Sequence, residues 1–449
     1  MPMSEGNQTI SALFLVGAAG LVALVAYALA PAGLPDLAQT TRDRVDVAVF
    51  LPDLASWDAL GRGARRASES GAVRVEDGAP DRLTLRTPGG RRLQLTWHHP
   101  AGGWELAERL RSLLKGPTLP EAIVGSSNTA LTLTLAQTLA KAGPEPPPLL
   151  IFSASAIHAP DAEGGRATLL GLNPGRTFRF CLNNRRMAEL VVDCVGSANP
   201  VTPTGSFVLV DPLDPFSVDL AECFEEVLHA RGIRGEPTRI ETRADGGFSL
   251  GAPTIEEQRL VAPIAEAASA AAAGPVWVFM ALQGSAARRL IVALDRALPE
   301  DAAERVRVLS GDGLGLNSLR ILATQVDFPV YSVSSGGISE SEGEDPSDRG
   351  RVEAELIGAL AVAVDRAEAP GGLAEVLARL DLHAGETGTL GRSLRLEDGE
   401  RVGDDLGLVY ELRPEPVELW GHEPGAVGWT SHRWDGASGW RVMPALSGP

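Results

Sequence analysis

The stretch AIVGSSNTALTLTLAQTLA, Ala122 to Ala140, decides how the chain is read. A short apolar run ends in a glycine, two serines and an asparagine, and a threonine-rich apolar run with helical spacing follows. A buried strand that stops in GSSNT delivers its hydroxyls to the start of a helix. Gly125 lets the backbone approach a ligand closely. Ser127 or Asn128 can cap the helix, and the free N–H groups with the helix dipole favour a carboxylate or another anion. Two readings stay open at this point: an ordinary N-cap, and a turn on which an anion rests. No G-x-x-x-x-G-K-[ST] is present and no G-x-G-x-x-G follows a strand, so the turn is neither a P-loop nor a dinucleotide fingerprint.

Outward from this stretch, strand and helix patterns alternate. Upstream, VDVAVFLP (45–52) is a nearly continuous apolar run, the mark of a strand buried on both faces, and Trp57 to Ser70 reads as a helix. RLTLRT (82–87) and RRLQLTW (91–97) alternate with period two around Pro88-Gly89-Gly90, predicting a hairpin or two short strands; a helix spans Trp104 to Leu114. Downstream come the strands LLIFSAS (149–155), TFRFCL (177–182), SFVLVD (206–211), PVWVFMAL (275–282) and RVRVLSGDG (305–313). Helical patterns lie between them, among them MAELVVDCV, Phe216 to Ala230, Ala286 to Ala297 and Leu316 to Ala323. Alternation of this kind predicts parallel sheets covered on both faces, and the number of units predicts two α/β lobes. Residues 338–350 are acidic and aperiodic, a surface loop; Arg351 to Ala367 and Gly372 to Leu382 read as helices, and SLRLEDGERV as a hairpin turning at Asp398-Gly399.

Composition bounds the function. The 449 residues are 44% hydrophobic and 22% charged, as in a globular protein. A net charge of −18 argues against a nucleic-acid partner. Three cysteines, Cys181, Cys194 and Cys223, have no zinc-like spacing and allow either one disulfide with a free thiol or three buried thiols. No histidine pattern suggests a metal, and no cofactor is indicated. Ile10 to Ala30 is 21 residues without charge, long enough to cross a bilayer as a helix. The preceding residues carry no Lys or Arg and Pro31 follows the span, which favours an uncleaved anchor over a cleaved signal. The nearest cations, Arg42 and Arg44, follow the span, and taken alone they would keep that side cytoplasmic.

In parallel α/β sheets, ligands bind beyond the carboxyl ends of the strands. Those ends are Leu51-Pro52-Asp53, Gly125 to Asn128, Ser153-Ala154-Ser155, Asp211 to Phe216, Gln283 to Ser285 and Gly311 to Gly313. Asp312 can receive an ammonium group or set a turn; the Phe216 ring can face a cation or lie in the core. No G-x-S-x-G elbow and no evident Ser-His-Asp set is present. The set points to capture rather than conversion, with no enzyme activity expected. A hydrolase would need His158 or His229 brought beside Ser127 or Ser155.

Five segments in order resemble the periplasmic-binding-protein type I family, in particular the branched-chain amino-acid receptors of ABC transporters. They are EAIVGSSNTALTLTLAQTLA, LLIFSASA, RTFRFCLNNRRMAELVVDCV with its "FR" strand, FVLVDPLDPFSVDLAECFEEVL and RVRVLSGDGLG. The likeness covers roughly residues 44–412. It implies two Rossmann-like lobes joined by a multi-crossing hinge that closes over ligand. Lobe 1 would comprise 44–178 and 331–385, and lobe 2 would comprise 179–330 and 386–449, with crossings near 178, 330 and 386. Residues 1–43 would form the membrane anchor and linker. By the resemblance, Ser127 with Ala154 and Ser155 holds the ligand's carboxylate, with Ser126, Asn128 and Ser153 in the same lobe-1 site. Phe216 and Asp312 meet the ammonium side from lobe 2. The family usually carries Tyr where Phe216 stands, and the tryptophans at 420, 429, 434 and 440 have no counterpart. The implied protein is a membrane-anchored, extracytoplasmic solute receptor with an amino-acid-like ligand and an ABC permease as partner. The alternative is a sensory or scaffold protein that uses the same fold for protein contacts.

Overall fold

Each apolar run read as a strand in the sequence carries a strand in the structure. Residues 43–160, 166–198, 202–233, 235–242, 253–270, 274–314, 316–322, 325–334, 350–368, 371–386, 393–402, 408–412, 429–435 and 439–443 are described by the computed structural model. The apolar stretch 10–30, most of the acidic loop and Trp420 lie outside the described residues. Among the described residues no helix is long and apolar enough to cross a membrane.

In chain order, strand Arg44–Phe50 (β1) leads to helix Leu54–Glu69 (α1), and a meander follows of Arg74–Ala79 (β2), Arg82–Arg86 (β3) and Arg92–His98 (β4). Helix Gly103–Leu114 (α2), strand Ala122–Gly125 (β5) and helix Thr129–Ala140 (α3) come next. Then follow Leu149–Ile151 (β6), the paired His158–Pro160 (β7) and Arg166–Thr168 (β8), and Thr177–Arg179 (β9). Helix Asn184–Ala198 (α4) precedes Gly205–Val210 (β10), Pro215–Ala230 (α5), Thr238–Glu241 (β11) and Ile255–Ala270 (α6). Val276–Ala281 (β12), Gly284–Ala297 (α7), Glu300–Ala303 (α8), Val306–Ser310 (β13), Leu316–Leu322 (α9) and Val330–Ser334 (β14) continue the alternation. Helices Arg351–Arg366 (α10) and Leu373–Ala378 (α11) are followed by Asp381–Leu382 (β15), Leu394–Glu397 (β16) and Glu400–Val402 (β17). Leu408–Leu412 (β18), Trp429–Asp435 (β19) and Gly439–Met443 (β20) end the described chain.

These strands form two large sheets, one per lobe. The first runs β15-β16-β17-β9-β6-β5-β1-β4-β3-β2 and the second β11-β10-β12-β13-β14-β18-β19-β20. At the centre of the first, β1, β5, β6 and β9 are parallel. In the second, β11, β10, β12, β13 and β14 are parallel, and β18, β19 and β20 add antiparallel strands at one edge. The reason the central strands read as continuous apolar runs is visible in β12. Val276, Val278 and Met280 enter one hydrophobic core, and Trp277, Phe279 and Ala281 enter the core on the opposite face. Phe279 stacks on Phe224 of α5 with centroids 4.0 Å apart.

Three points differ from the expected layout. β14 pairs with β13 and β18 in the second sheet, so the lobe boundary lies beyond Ser334 rather than near 330. Strands β16 and β17 join the first sheet, with Glu400 paired to Arg179, so the last crossing comes after Val402 rather than near 386. The predicted helix to Leu382 stops at Ala378, because Asp381 and Leu382 pair as a strand with Arg395 and Leu394. The Asp398-Gly399 turn is as expected: both residues have positive φ, 49° and 83°. Trp429, Trp434 and Trp440 fall on the added strands β19 and β20. All three cysteines are buried free thiols.

Candidate cleft between the lobes

Strand β5 ends flush in the core, and its last residue has no room for a side chain. A Cβ on Gly125 would lie 2.5 Å from Leu135 Cδ1 and 3.2 Å from the Phe50 carbonyl oxygen. The next three residues divide the work. Asn128 Oδ1 accepts the Leu131 N–H at 2.9 Å and caps α3, so the N-cap half of the opening question is settled in favour of Asn128. The Ser126 N–H donates to Thr132 Oγ1 at 3.0 Å, while the Ser126 hydroxyl is buried without a hydrogen-bond partner among the described residues. Ser127 is half-buried, and its carbonyl accepts the Ser153 hydroxyl at 3.3 Å. Ala154 and Ser155 are buried in the same turn. The six first-lobe residues singled out in sequence therefore gather in two adjoining turns beyond β5 and β6.

The second lobe meets these turns directly. The Ser155 carbonyl accepts the N–H of Asn184, the first residue of α4, at 2.9 Å. The Asn184 amide then donates to the Phe216 carbonyl at 3.3 Å and to Asp219 Oδ2 at 2.9 Å. Its own Oδ1 is buried without a partner among the described residues. Thus the carboxyl-end loops of the two sheets touch at Ser155, Asn184 and the start of α5.

Phe216 takes the core alternative. Its ring is only 5% exposed and belongs to the hydrophobic cluster of Met187, Leu220 and Phe279. It sits just after the Asp214 cap of α5, where the apolar face of the helix begins, so the ring is drawn onto β10 and β12. Asp214 accepts the Phe216 N–H at 3.1 Å and the Gln283 amide at 3.1 Å, joining the ends of β10 and β12. Burial holds its carboxyl above the usual range, and the Asp211 charge adds to that. Asp312 is half-buried beyond β13, within electrostatic reach of Cys181 at the end of β9. Burial pushes the Cys181 thiol up; Arg179 opposes, and the charges of Asp312 and Glu400 reinforce the rise.

Two features of this region escaped the sequence reading. Arg179, the arginine of the "FR" strand, is fully buried; its guanidinium donates to Glu400 Oε1 at 2.9 Å and to the Ala156 carbonyl at 2.6 Å. It ties the turn after β6 to β17. The signal was a charged residue inside an otherwise apolar strand. The second feature is a set of stacked rings at the carboxyl ends of β1 and β4. Trp57 stacks on Trp97 at 5.6 Å and Phe50 on His98 at 5.0 Å, and the Trp97 indole N–H donates to the Leu51 carbonyl at 3.0 Å.

Burial, then the Arg109 charge, hold His98 below its ordinary value of 6.5. The unfolded chain takes up this proton near 6.5 and the folded chain only at lower pH. The stability it contributes is therefore complete above about pH 6.5 and is lost as pH falls. Urea unfolding at pH 7.5 and 5.5 tests the sign: the parent chain loses more stability between them than the His98→Gln variant, by at most about 1.4 kcal/mol per pH unit. Equal losses in both would remove the assignment.

The hydrolase geometry is half present. His158 Nδ1 lies 3.1 Å from Asp219 Oδ1, but no serine hydroxyl hydrogen-bonds His158 among the described residues.

No protein-family model and no curated protein sequence matches the chain. Solved structures do. An ABC transporter substrate-binding protein from Desulfitobacterium hafniense is similar with a TM-score of 0.57 at 15% identity, over 83% of this chain and 98% of that one. A leucine-binding protein from Thermotoga maritima is similar with a TM-score of 0.56 at 14% identity, over 90% and 99%. A solute-binding protein of an ABC transporter from R. palustris, solved with benzoate, is similar with a TM-score of 0.56 at 13% identity, over 90% and 96%. At these identities the likeness is one of fold.

Proposed function

We propose that this chain, built on the periplasmic-binding-protein type I fold it shares with those proteins, is an extracytoplasmic solute-binding protein that clamps a small carboxylate-bearing ligand of the amino-acid class. The observation that carries the reading is the gathering of Ser126, Ser127, Ser153 and Ser155 beyond β5 and β6, with the Ser126 hydroxyl buried and without a partner among the described residues. Buried polar groups are normally hydrogen-bonded, and a ligand oxygen would supply the missing partner. By the same reading Asp312, half-buried beyond β13 of the opposite lobe, would meet the ligand's ammonium group. Two of the similar solved structures are complexes with leucine and with benzoate, and a carboxylate is common to both ligands. The apolar stretch 10–30 serves as the anchor, and an ABC permease is the partner.

Thermal unfolding of the full chain against amino acids and aromatic acids tests the reading. A ligand at 100 times its Kd raises the unfolding free energy by about 2.7 kcal/mol, and the shift shrinks in Ser127→Ala. A folded chain whose Tm stays fixed across both ligand sets would point instead to the protein-contact alternative, which the buried ring of Phe216 favours.

A further inference from the structure

We infer that Asp219 is a latch between the lobes, holding the turn 156–158 of the first lobe against α5 of the second whether or not ligand is bound. Its carboxylate accepts the N–H of Ile157 at 2.8 Å and of His158 at 2.9 Å, two consecutive main-chain donors from the other lobe. It also accepts the Asn184 amide at 2.9 Å, and His158 Nδ1 lies at 3.1 Å. Successive N–H groups turned on one carboxylate form an anion nest. Asp219 is only 2% exposed, and a buried carboxylate is tolerated only when it is paired and hydrogen-bonded in this way.

The helix itself does not need this residue. Asp214 already caps α5, and Asp219 lies on the next turn. What Asp219 serves is the contact between lobes, and its surroundings agree. The Ile157 side chain packs against the second lobe's core, although the turn that carries it follows β6 of the first sheet. Arg166 of β8 pairs with Glu222 of α5, one turn beyond Asp219, and its guanidinium approaches Asp219 at 3.9 Å. Opening the cleft must break the contacts of Ile157, His158 and Arg166 together and leave the carboxylate to be rehydrated.

The latch begins two residues after Ser155. The turn proposed to hold the ligand thus runs straight into the contact that fixes lobe closure, which makes Asp219 a positioning residue for the cleft. A closed state favoured before binding spares the ligand the free energy of closing the lobes. The latch itself does not depend on which ligand the cleft takes.

The test is an interlobe distance in the ligand-free full chain. Spin labels are placed at Leu54→Cys and Leu213→Cys, which are 57% and 75% exposed on opposite lobes, while the native cysteines are buried. Pulsed dipolar spectroscopy of the labelled parent should give one dominant distance. Asp219→Asn should add a longer population, raising the open-to-closed ratio about tenfold or more, and Arg166→Gln should broaden the distribution less. An unchanged distribution in a folded Asp219→Asn chain overturns the latch, as does a parent chain already split between two distances. Should Asp219→Asn fail to fold, Asp219→Ser with Arg166→Gln carries the same test, and an unchanged distance in that variant overturns the proposal. Because no ligand is added, failure here is separable from failure of the solute-binding reading.

Discussion

Arg401→Met lowers the unfolding free energy by about 3–5 kcal/mol. Arg401 on β17 and Glu355 on α10 form a two-pronged ion pair whose side chains are 1% and 2% exposed. Removing the guanidinium leaves a carboxylate in the first lobe's interior facing an apolar chain. That desolvation cost, rather than the lost attraction, sets the size of the effect. The pair as a whole is worth far less than its breakage, since burying both charges offsets most of what their attraction returns. The double variant Glu355→Leu/Arg401→Met therefore recovers most of the loss. Urea unfolding of the parent, the single and the double variant measures both steps. A single variant within 1 kcal/mol of the parent, or a double variant no better than the single, would mean that water reaches the pair.

This pair also shows why the sheet to which 394–402 belongs could not be read from sequence. The hairpin itself was legible: Asp398-Gly399 demands positive φ, and the flanks alternate. Its lobe was not, because membership rests on contacts made far along the chain, Glu400 with Arg179 and Arg401 with Glu355. Nothing local to SLRLEDGERV records either partner. Strand β2 was missed for a different reason. RVEDGA lies at the sheet edge with most of its residues exposed, so it carries no apolar period. The central strands had the opposite property: each is buried on both faces, and burial alone writes the run of apolar residues.

The candidate cleft divides in the same way. The GSSNT and SASA turns were legible as strand ends because an apolar run, small residues and a helix start coincide in sequence, and the fold brings the two turns together through the Ser153–Ser127 hydrogen bond. Phe216 was legible only as a choice, and the apolar face of α5 decided it for the core. Asp219 lay unmarked within a helical pattern, and Asn184 unmarked between a strand and the helical run that begins at Met187. A polar residue inside a helix has no signature until the opposite lobe supplies its donors, so no reading confined to one segment could have set them apart.

Gly63→Val produces the second large loss, at or beyond the upper end of the roughly 1–3 kcal/mol that overpacking a core costs. Gly63 lies on α1 where it crosses α10, and a Cβ there would stand 2.6 Å from Glu353 Cβ and 2.9 Å from the Ala354 nitrogen. The obstacle is largely the backbone of α10, so it cannot swing aside as a flexible side chain would. Two effects of opposite sign compete at any helical glycine. A residue with a Cβ gains up to about 1 kcal/mol of helix propensity, less for a β-branched side chain, while crowding at a closed crossing costs more than that. At Gly63 the crossing wins. At Gly61, on the same helix, nothing lies within 4 Å of the would-be Cβ, and propensity wins. Gly61→Ala should therefore raise the unfolding free energy by about 0.5–1 kcal/mol where Gly63→Val lowers it. Opposite signs at two glycines two residues apart in α1 would fix the α1–α10 crossing as the tight seam of the first lobe. The same sign at both would show that α10 can move away from α1, and the buried Arg401–Glu355 pair carried by α10 would then have to loosen with it.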